Sequence, residues 1–129
     1  MGKKKILIDT DIIIKIYRGN SEKKKEVNPI RTQLAISEIT AIELLLGCNS
    51  RKKQFDIKKN LKAYQLFPLT EEIGDTALKL VFKYSVNHSI HVPDLLIAST
   101  AIQAGIPLFT DNKHHFDFIE ELVLYDANR

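Results

Sequence analysis

The sequence predicts an α/β domain in which a small, mostly parallel sheet is covered by helices on both faces. Three observations lead there. Short apolar runs with a β-branched bias recur along the chain, helical segments separate them, and strands joined by helical crossovers run parallel. The chain's 129 residues, 44% of them hydrophobic, are enough for one core and too few for two ordinary domains, so a single domain is read across residues 1–129.

Ile6 to Ile8, set between a basic segment and Asp9-Thr10-Asp11, reads as a buried first strand that stops at Asp9. A helix over Ile12 to Tyr17 follows and fails at Gly19-Asn20, and Ser21 to Pro29 reads as a charged loop around Lys23 to Lys25. Leu34 to Ile36 is a second strand, after which Ser37 caps a helix reaching about Gly47. Residues 51–64 form a polar, lysine-rich helix, and Leu66 to Leu69 a weak third strand that Pro68 confines to an edge. Thr70 caps a longer helix whose first turn carries Glu71 and Glu72, where negative charge suits the helix dipole. Pro93-Asp94 opens a helix over Leu95 to Ala104 that Gly105 ends, and its apolar character all round marks it for the core or an interface. Ile106 to Phe109 is a fourth strand, followed by Thr110-Asp111-Asn112, and Leu122 to Tyr125 a fifth.

Residues 1–65 hold 15 basic and 7 acidic side chains, a net of +8, whereas residues 66–129 hold 4 and 9, a net of −5. This asymmetry is compatible with nucleic-acid binding, and equally with a lysine-rich solvated surface. A lone cysteine, Cys48, excludes an internal disulfide. Although Lys3 to Lys5 imitate the start of a signal peptide, the apolar run behind them is too short for one, and no stretch approaches the roughly 18 apolar residues of a membrane span. A cytoplasmic location, away from membranes, is therefore expected.

Ligands in open α/β sheets collect at the carboxyl ends of the strands, and acids recur there: Asp9 closes the first strand and Asp111 follows the fourth. Each also has a plain structural role open to it, Asp9 or Asp11 as a helix cap and Asp111-Asn112 as a turn. Glu43 lies between Ile39 and Thr40 on its helix, at the border of the apolar face, and also suits a solvated flank. Asp94 suits an N-cap, which does not exclude metal ligation. Clustered carboxylates need a neutralising charge. Hard oxygen donors without Cys or His select Mg²⁺, or Mn²⁺, over Zn²⁺. The pairs His88/His91 and His114-His115 lack the spacing of a helical zinc site and read as surface or loop residues, with contact between His114 or His115 and a phosphate as the lesser alternative, and no Gly-rich phosphate cradle is present.

Four segments taken in order, Ile6 to Asp11, Ser37 to Leu44, Pro93 to Ala98, and Leu108 to Asn112 with Phe116 behind it, resemble the PIN-domain ribonucleases, and among them the VapC toxins of type II toxin–antitoxin pairs. The resemblance covers essentially the whole chain and implies a PIN-like three-layer α/β/α sandwich. It makes Asp9 and Asp94 the principal metal ligands and Glu43 the third, with Thr110, Asn112, Asp11 and Thr40 as supporting residues. Two positions depart from the family pattern. Asp11 stands where Asn or Ser is common, and Asn112 stands where a fourth acid is common, so Asp111 is preferred to Asp117 for that role. The implied activity is Mg²⁺-dependent endoribonucleolytic hydrolysis of phosphodiesters, leaving 5′-phosphate and 3′-hydroxyl ends. The implied partners are RNA, a VapB-like antitoxin and a second copy of the chain, for which the Leu95 to Ile102 helix or the helices of residues 51–84 offer surfaces. Lys23 to Lys25 and Arg51 to Lys53 are candidates for holding the RNA backbone.

Three alternatives compete. A PIN-fold module that binds RNA or protein with little catalysis is compatible with Asn112. A haloacid-dehalogenase-type phosphatase is suggested by Asp9-Thr10-Asp11, but only about twenty residues follow Thr110, too few for its downstream motifs. A receiver module lacks its acceptor Asp after the third strand. If Asp9, Glu43, Asp94 and Asp111 share one pocket, the rest of the surface holds 19 basic and 12 acidic residues, a net of +7.

Overall fold

The computed structural model describes residues 4–127, so Lys3 of the leading basic run lies outside them. Strand β1 (Ile6–Ile8) sits inside a four-stranded sheet of order β3-β2-β1-β4, where β2 is Leu34–Ser37, β3 is Gln65–Phe67 and β4 is Leu108–Phe109. Every pairing is parallel. Leu7 pairs with Ala35 on one side and with Leu108 on the other, which makes β1 the strand to which both halves of the sheet attach. Because successive strand residues face opposite ways, Leu7, Ala35 and Leu108 enter one core while Ile6, Ile8, Ile36 and Phe109 enter the other. Helices α1 (Thr10–Tyr17), α2 (Ser21–Val27) and α3 (Glu38–Leu46) close the second face, with α4 (Arg51–Leu61) beside them. Helices α5 (Glu71–Tyr84) and α6 (Val92–Ala104) close the first. The expected three-layer α/β/α architecture is what the chain forms.

Several elements differ from expectation for identifiable reasons. Residues 21–27 are a helix, not a loop: Asn20 Oδ1 accepts the Lys23 N–H at 2.9 Å, and Glu and Lys are good helix formers. A 3₁₀ turn, Asn28–Gln33, then leads into β2, with Pro29 in its first positions where a missing N–H costs nothing. The expected fifth strand is not one. Leu124 makes an isolated parallel bridge to Leu108, with Leu108 N–H donating to Val123 O at 2.9 Å and Tyr125 N–H to Leu108 O at 2.8 Å. The fourth strand is confined to Leu108–Phe109, behind Pro107, which has no N–H to donate. The third lies at the edge, as expected, but runs over Gln65–Phe67 and stops ahead of Pro68 instead of reaching Leu69.

Helix α6 begins at Val92 with His91 at its cap position, so Asp94 is not the cap but the third helical residue, in a first turn that favours negative charge. Gly105, at φ +67°, ends that helix in the left-handed conformation. Leu95, Ile97, Ala98 and Ala101 are buried in the chain's own core, which accounts for the apolar character of α6 without a partner. Its Ser99 and Thr100 hydroxyls, also buried, donate back to the carbonyls of Leu95 and Leu96 at 2.7 Å. No helix among the described residues is long and apolar enough to cross a membrane.

Candidate active site

The chain leaves β1 at Asp9, whose extended backbone sets it as N-cap of α1, with Oδ1 accepting the Thr10 N–H at 2.8 Å. Strand β4 runs alongside, and Asp9 N–H donates to Phe109 O at 2.9 Å, so the residue after β4 must lie beside Asp9. That residue is Thr110. Its hydroxyl donates to Asp9 Oδ2 at 2.8 Å and accepts the Asn112 N–H at 3.0 Å. Both Asp9 carboxylate oxygens are thus fixed by neutral donors, and the side chain is held only 4% exposed.

In the first turn of α1, Asp11 Oδ2 accepts the Asp111 N–H at 3.2 Å and the Asn112 side-chain amide at 3.0 Å. Its Oδ1 is buried without a hydrogen-bond partner. On the other side of Asp9, Thr10 donates its hydroxyl to Glu43 Oε1 at 2.8 Å and lies 3.0 Å from the hydroxyl of buried Thr40. Each hydroxyl has one proton, so Thr40 is the donor to Thr10. Two threonines therefore orient Glu43. Asp94, in the first turn of α6, has Oδ2 3.3 Å from His115 Nδ1.

Electrostatics follow from this crowding. Burial first, then the charge of Asp11 and more weakly that of Asp94, pushes the pKa of Asp9 up to about 7, against the hydrogen bonds from Thr110 and Thr10. Burial also raises Asp11, although the hydrogen bond from the Asp111 N–H opposes it. Asp111 behaves oppositely. Burial alone would raise it, but hydrogen bonds from Lys15 and Lys23 outweigh that and hold it below the usual carboxylate range.

Asp9, Asp11 and Asp94 thus interact at one end of the sheet, with Glu43 tied to the same corner through Thr10. Asp111 is placed there too, but its carboxylate is taken by lysines rather than directed at the other acids. Asn112 and Thr110 hold Asp11 and Asp9. Lys23, expected to be free for RNA, is 5% exposed and bound to Asp111 at 2.8 Å and Glu26 at 3.0 Å, with its ammonium over the Phe109 ring. Sequence reasoning missed Thr10, Lys15 and Lys23 as parts of this corner. Only the helical register of α1 points to the first two, and inside a lysine triplet nothing distinguishes the third.

The donor set is oxygen-only and two of its acids are held above their ordinary pKa, which suits a divalent hard cation. Among the described residues no three His, Cys, Asp or Glu side chains form a ready-made metal group. A cation such as Mg²⁺, which keeps several waters and takes one or two carboxylates, does not require one. The orphaned Asp11 Oδ1 is a further unsatisfied oxygen acceptor in the same corner.

Beside Glu43, helices α1, α3 and α4 frame a cavity of about 530 Å³ lined by Ile14, Tyr17, Leu44 and Ile57. The Tyr17 hydroxyl is buried there without a partner, and burial and nearby Tyr64 push its pKa up to about 12.

The PIN domain family model matches residues 6–121. The chain is 32% identical over 125 residues to Ribonuclease VapC1 of Methanocaldococcus jannaschii, covering 95% of this chain and 88% of that one. It is 31% identical over 120 residues to Ribonuclease VapC10 of Mycobacterium tuberculosis, covering 91% and 90%. A toxin–antitoxin complex from Klebsiella pneumoniae matches at a TM-score of 0.78 and 26% identity, over 94% of this chain and 98% of that one. DNA-bound VapBC from Salmonella typhimurium matches at 0.85 over 97% and 99%, and at 18% identity that likeness shows the fold alone. With a family model across most of its length and relatives above 30% identity over most of both chains, the chain belongs to the PIN-domain family, among its VapC ribonucleases.

Proposed function

We propose that this chain is a metal-dependent endoribonuclease and the toxin of a type II toxin–antitoxin pair. The observation that carries the reading is Asp9, a carboxylate buried to 4% exposure with two further acids acting on it and a pKa of about 7. Such an arrangement is costly in itself and is relieved by a cation. Asp9 and Asp94 would hold Mg²⁺ or Mn²⁺, with Glu43 as the third carboxylate. When bound, the ion supplies Lewis acidity toward a phosphodiester and lowers the pKa of a coordinated water.

The chain's own residues divide the remaining work. Thr110 and the Thr10 amide fix both oxygens of Asp9, while Thr40 and Thr10 keep Glu43 turned toward the same corner as a proton acceptor for the attacking water. Asp111 serves the loop: by pairing with Lys15 and Lys23 it anchors the turn that carries Thr110 and Asn112. The RNA backbone is assigned to exposed Lys24, Lys25 and Arg51 to Lys53, with Lys23 removed from that role by its burial.

The antitoxin partner is supported by the toxin–antitoxin complexes among the structural relatives, and the apolar cavity beside Glu43 offers it a place from which to cover the site. A homodimer is supported by Leu78 and Phe82, exposed one turn apart on α5, the surface left once α6 is assigned to the core. A cytoplasmic location accompanies this reading. The alternative, a binding module with little catalysis, draws on Asn112, whose amide holds Asp11 where an acid would repel it.

The test is cleavage of single-stranded RNA by wild type, Asp9→Asn and Asp94→Asn, with Mg²⁺ and with EDTA. Metal-dependent cleavage to 5′-phosphate ends, lost in both variants, is expected. Cleavage in EDTA, or full activity in either variant, sinks the mechanism, and RNA binding without cleavage by wild type favours the module. For the antitoxin, co-expression with the neighbouring gene should relieve growth arrest and yield a complex, and failure of both overturns the pairing.

A further inference from the structure

Next to Asp94 the site opens into a second cavity, of about 430 Å³, to which the nuclease chemistry gives no role. It is lined by all four histidines of the chain. His88 and His91 come from the segment ahead of α6, and His114 and His115 from the turn after β4, so the fold gathers at one rim residues that the sequence keeps apart. His115 Nδ1 stands 3.3 Å from Asp94 Oδ2 and marks the inner end. The outer wall is a ring stack. His88 lies on Phe118 with centroids 4.1 Å apart and planes 4° from parallel, and Tyr84 supports Phe118 edge-on at 5.6 Å. His88 is exposed, so its outer face can take another ring.

We propose that this cavity holds one unpaired base of the RNA, adjacent to the phosphodiester that is cut. The proposal rests on the nuclease reading and adds a base subsite to it. Three features favour a base over other occupants. Unpaired bases are bound by stacking on aromatic or imidazole faces and by hydrogen bonds to their edges, and a wall of stacked rings flanked by imidazole nitrogens provides both. A phosphate is disfavoured, because the lining holds no Lys or Arg and includes the carboxylates of Asp94 and Asp117. The volume falls within the range of small-ligand clefts, about 300–1,000 Å³, and the cavity lies beside a candidate metal ligand. His88 and His91 are then residues that influence where an RNA is cut.

Four histidines give four Hε1 resonances, which single His→Gln variants assign. Metal-free protein is titrated with adenosine, guanosine, cytidine and uridine, and separately with inorganic phosphate. The expected result is that at least one nucleoside moves the His88 and His91 signals and phosphate does not. Signals unmoved by every nucleoside, or moved as strongly by phosphate, overturn the proposal. In the second arm, His88→Ala is expected to raise KM on single-stranded RNA about tenfold, the loss typical of one base stack, with a smaller change in kcat. Wild-type KM and cut positions in His88→Ala, alongside Mg²⁺-dependent cleavage that Asp9→Asn abolishes, remove the base subsite and leave the nuclease reading standing. A wild type that cuts no RNA with Mg²⁺ removes the nuclease reading, while the nucleoside titration still decides whether the cavity takes a base.

Discussion

Replacing Asp9 by Asn should do two opposite things: abolish RNA cleavage, and stabilise the metal-free fold at neutral pH. Burial and the Asp11 charge raise the Asp9 pKa from 3.8 to about 7. Because the native pKa lies above the unfolded one, the native state holds the extra proton between those values, and stability falls as pH rises through that window and stays low above it. Each tenfold loss of acidity is worth ~1.4 kcal/mol, so the cost is about 2 kcal/mol at pH 5 and about 4 kcal/mol at pH 8. Asn carries no charge, so it avoids the cost at both values. Its Oδ1 can still accept the Thr10 N–H, and reorganising the Thr110 hydrogen bond forfeits about 1 kcal/mol at any pH. The variant's advantage should therefore grow by about 2 to 3 kcal/mol from pH 5 to pH 8, which for a chain of this size is roughly 10 °C in Tm. The assay is thermal unfolding of both proteins in EDTA at several pH values. A Tm difference independent of pH, or a variant less stable than wild type at pH 8, would refute the reasoning.

Other predictions concern the same corner of the fold. Mg²⁺ should raise the Tm of wild type and not of Asp9→Asn, and at pH 6 binding should release about one proton, measured by calorimetry in buffers of different ionisation enthalpy; an equal effect on both proteins contradicts Asp9 as a ligand. Asp111→Ala leaves the buried Lys23 with Glu26 alone and should cost about 2 kcal/mol in urea unfolding at pH 7. Since the Asp111 pKa lies below its ordinary value, that contribution is present above the unfolded pKa and fades as pH falls, so variant and wild type should converge in acid. The same variant should keep far more cleavage than Asp9→Asn, and an equal loss would make Asp111 a ligand after all. Thr110→Val removes a donor that lowers the Asp9 pKa, so cleavage should fall by about 10- to 100-fold and its acidic limb should move to higher pH, read from the pH–rate profile; an unmoved limb argues against Asp9 as the titrating group.

Strands Ile6 to Ile8 and Leu34 to Ser37 were legible because they are buried on both faces and so read as continuous apolar runs. Caps at Ser37 and Thr70 and the terminator at Gly105 were legible because each is a local chemical device that needs no tertiary context. The helix of residues 21–27 was not, since only Val27 and the buried Lys23 face inward, and a seven-residue charged stretch carries no clear apolar period. Leu122 to Tyr125 has strand composition, yet whether an apolar run becomes a strand depends on a neighbour extending alongside it, and β4 offers two residues. At the site, residue types were legible and directions were not. Asp111 looks as acidic as Asp9 until two lysines from separate helices arrive beside it, and the four histidines looked like loop residues until the fold joined their segments at one rim.

The placement of β1 between β2 and β4 has a consequence for the timing of synthesis. Asp9 leaves the ribosome early, but the hydroxyl that fixes it belongs to Thr110, 101 positions later, and β4 cannot pair with β1 before that stretch has emerged. Until then the central strand lacks a neighbour and the carboxylate lacks its second donor. A nascent or prematurely ended chain therefore carries an incomplete site. For an enzyme that cuts RNA, this delays activity until most of the domain has been translated.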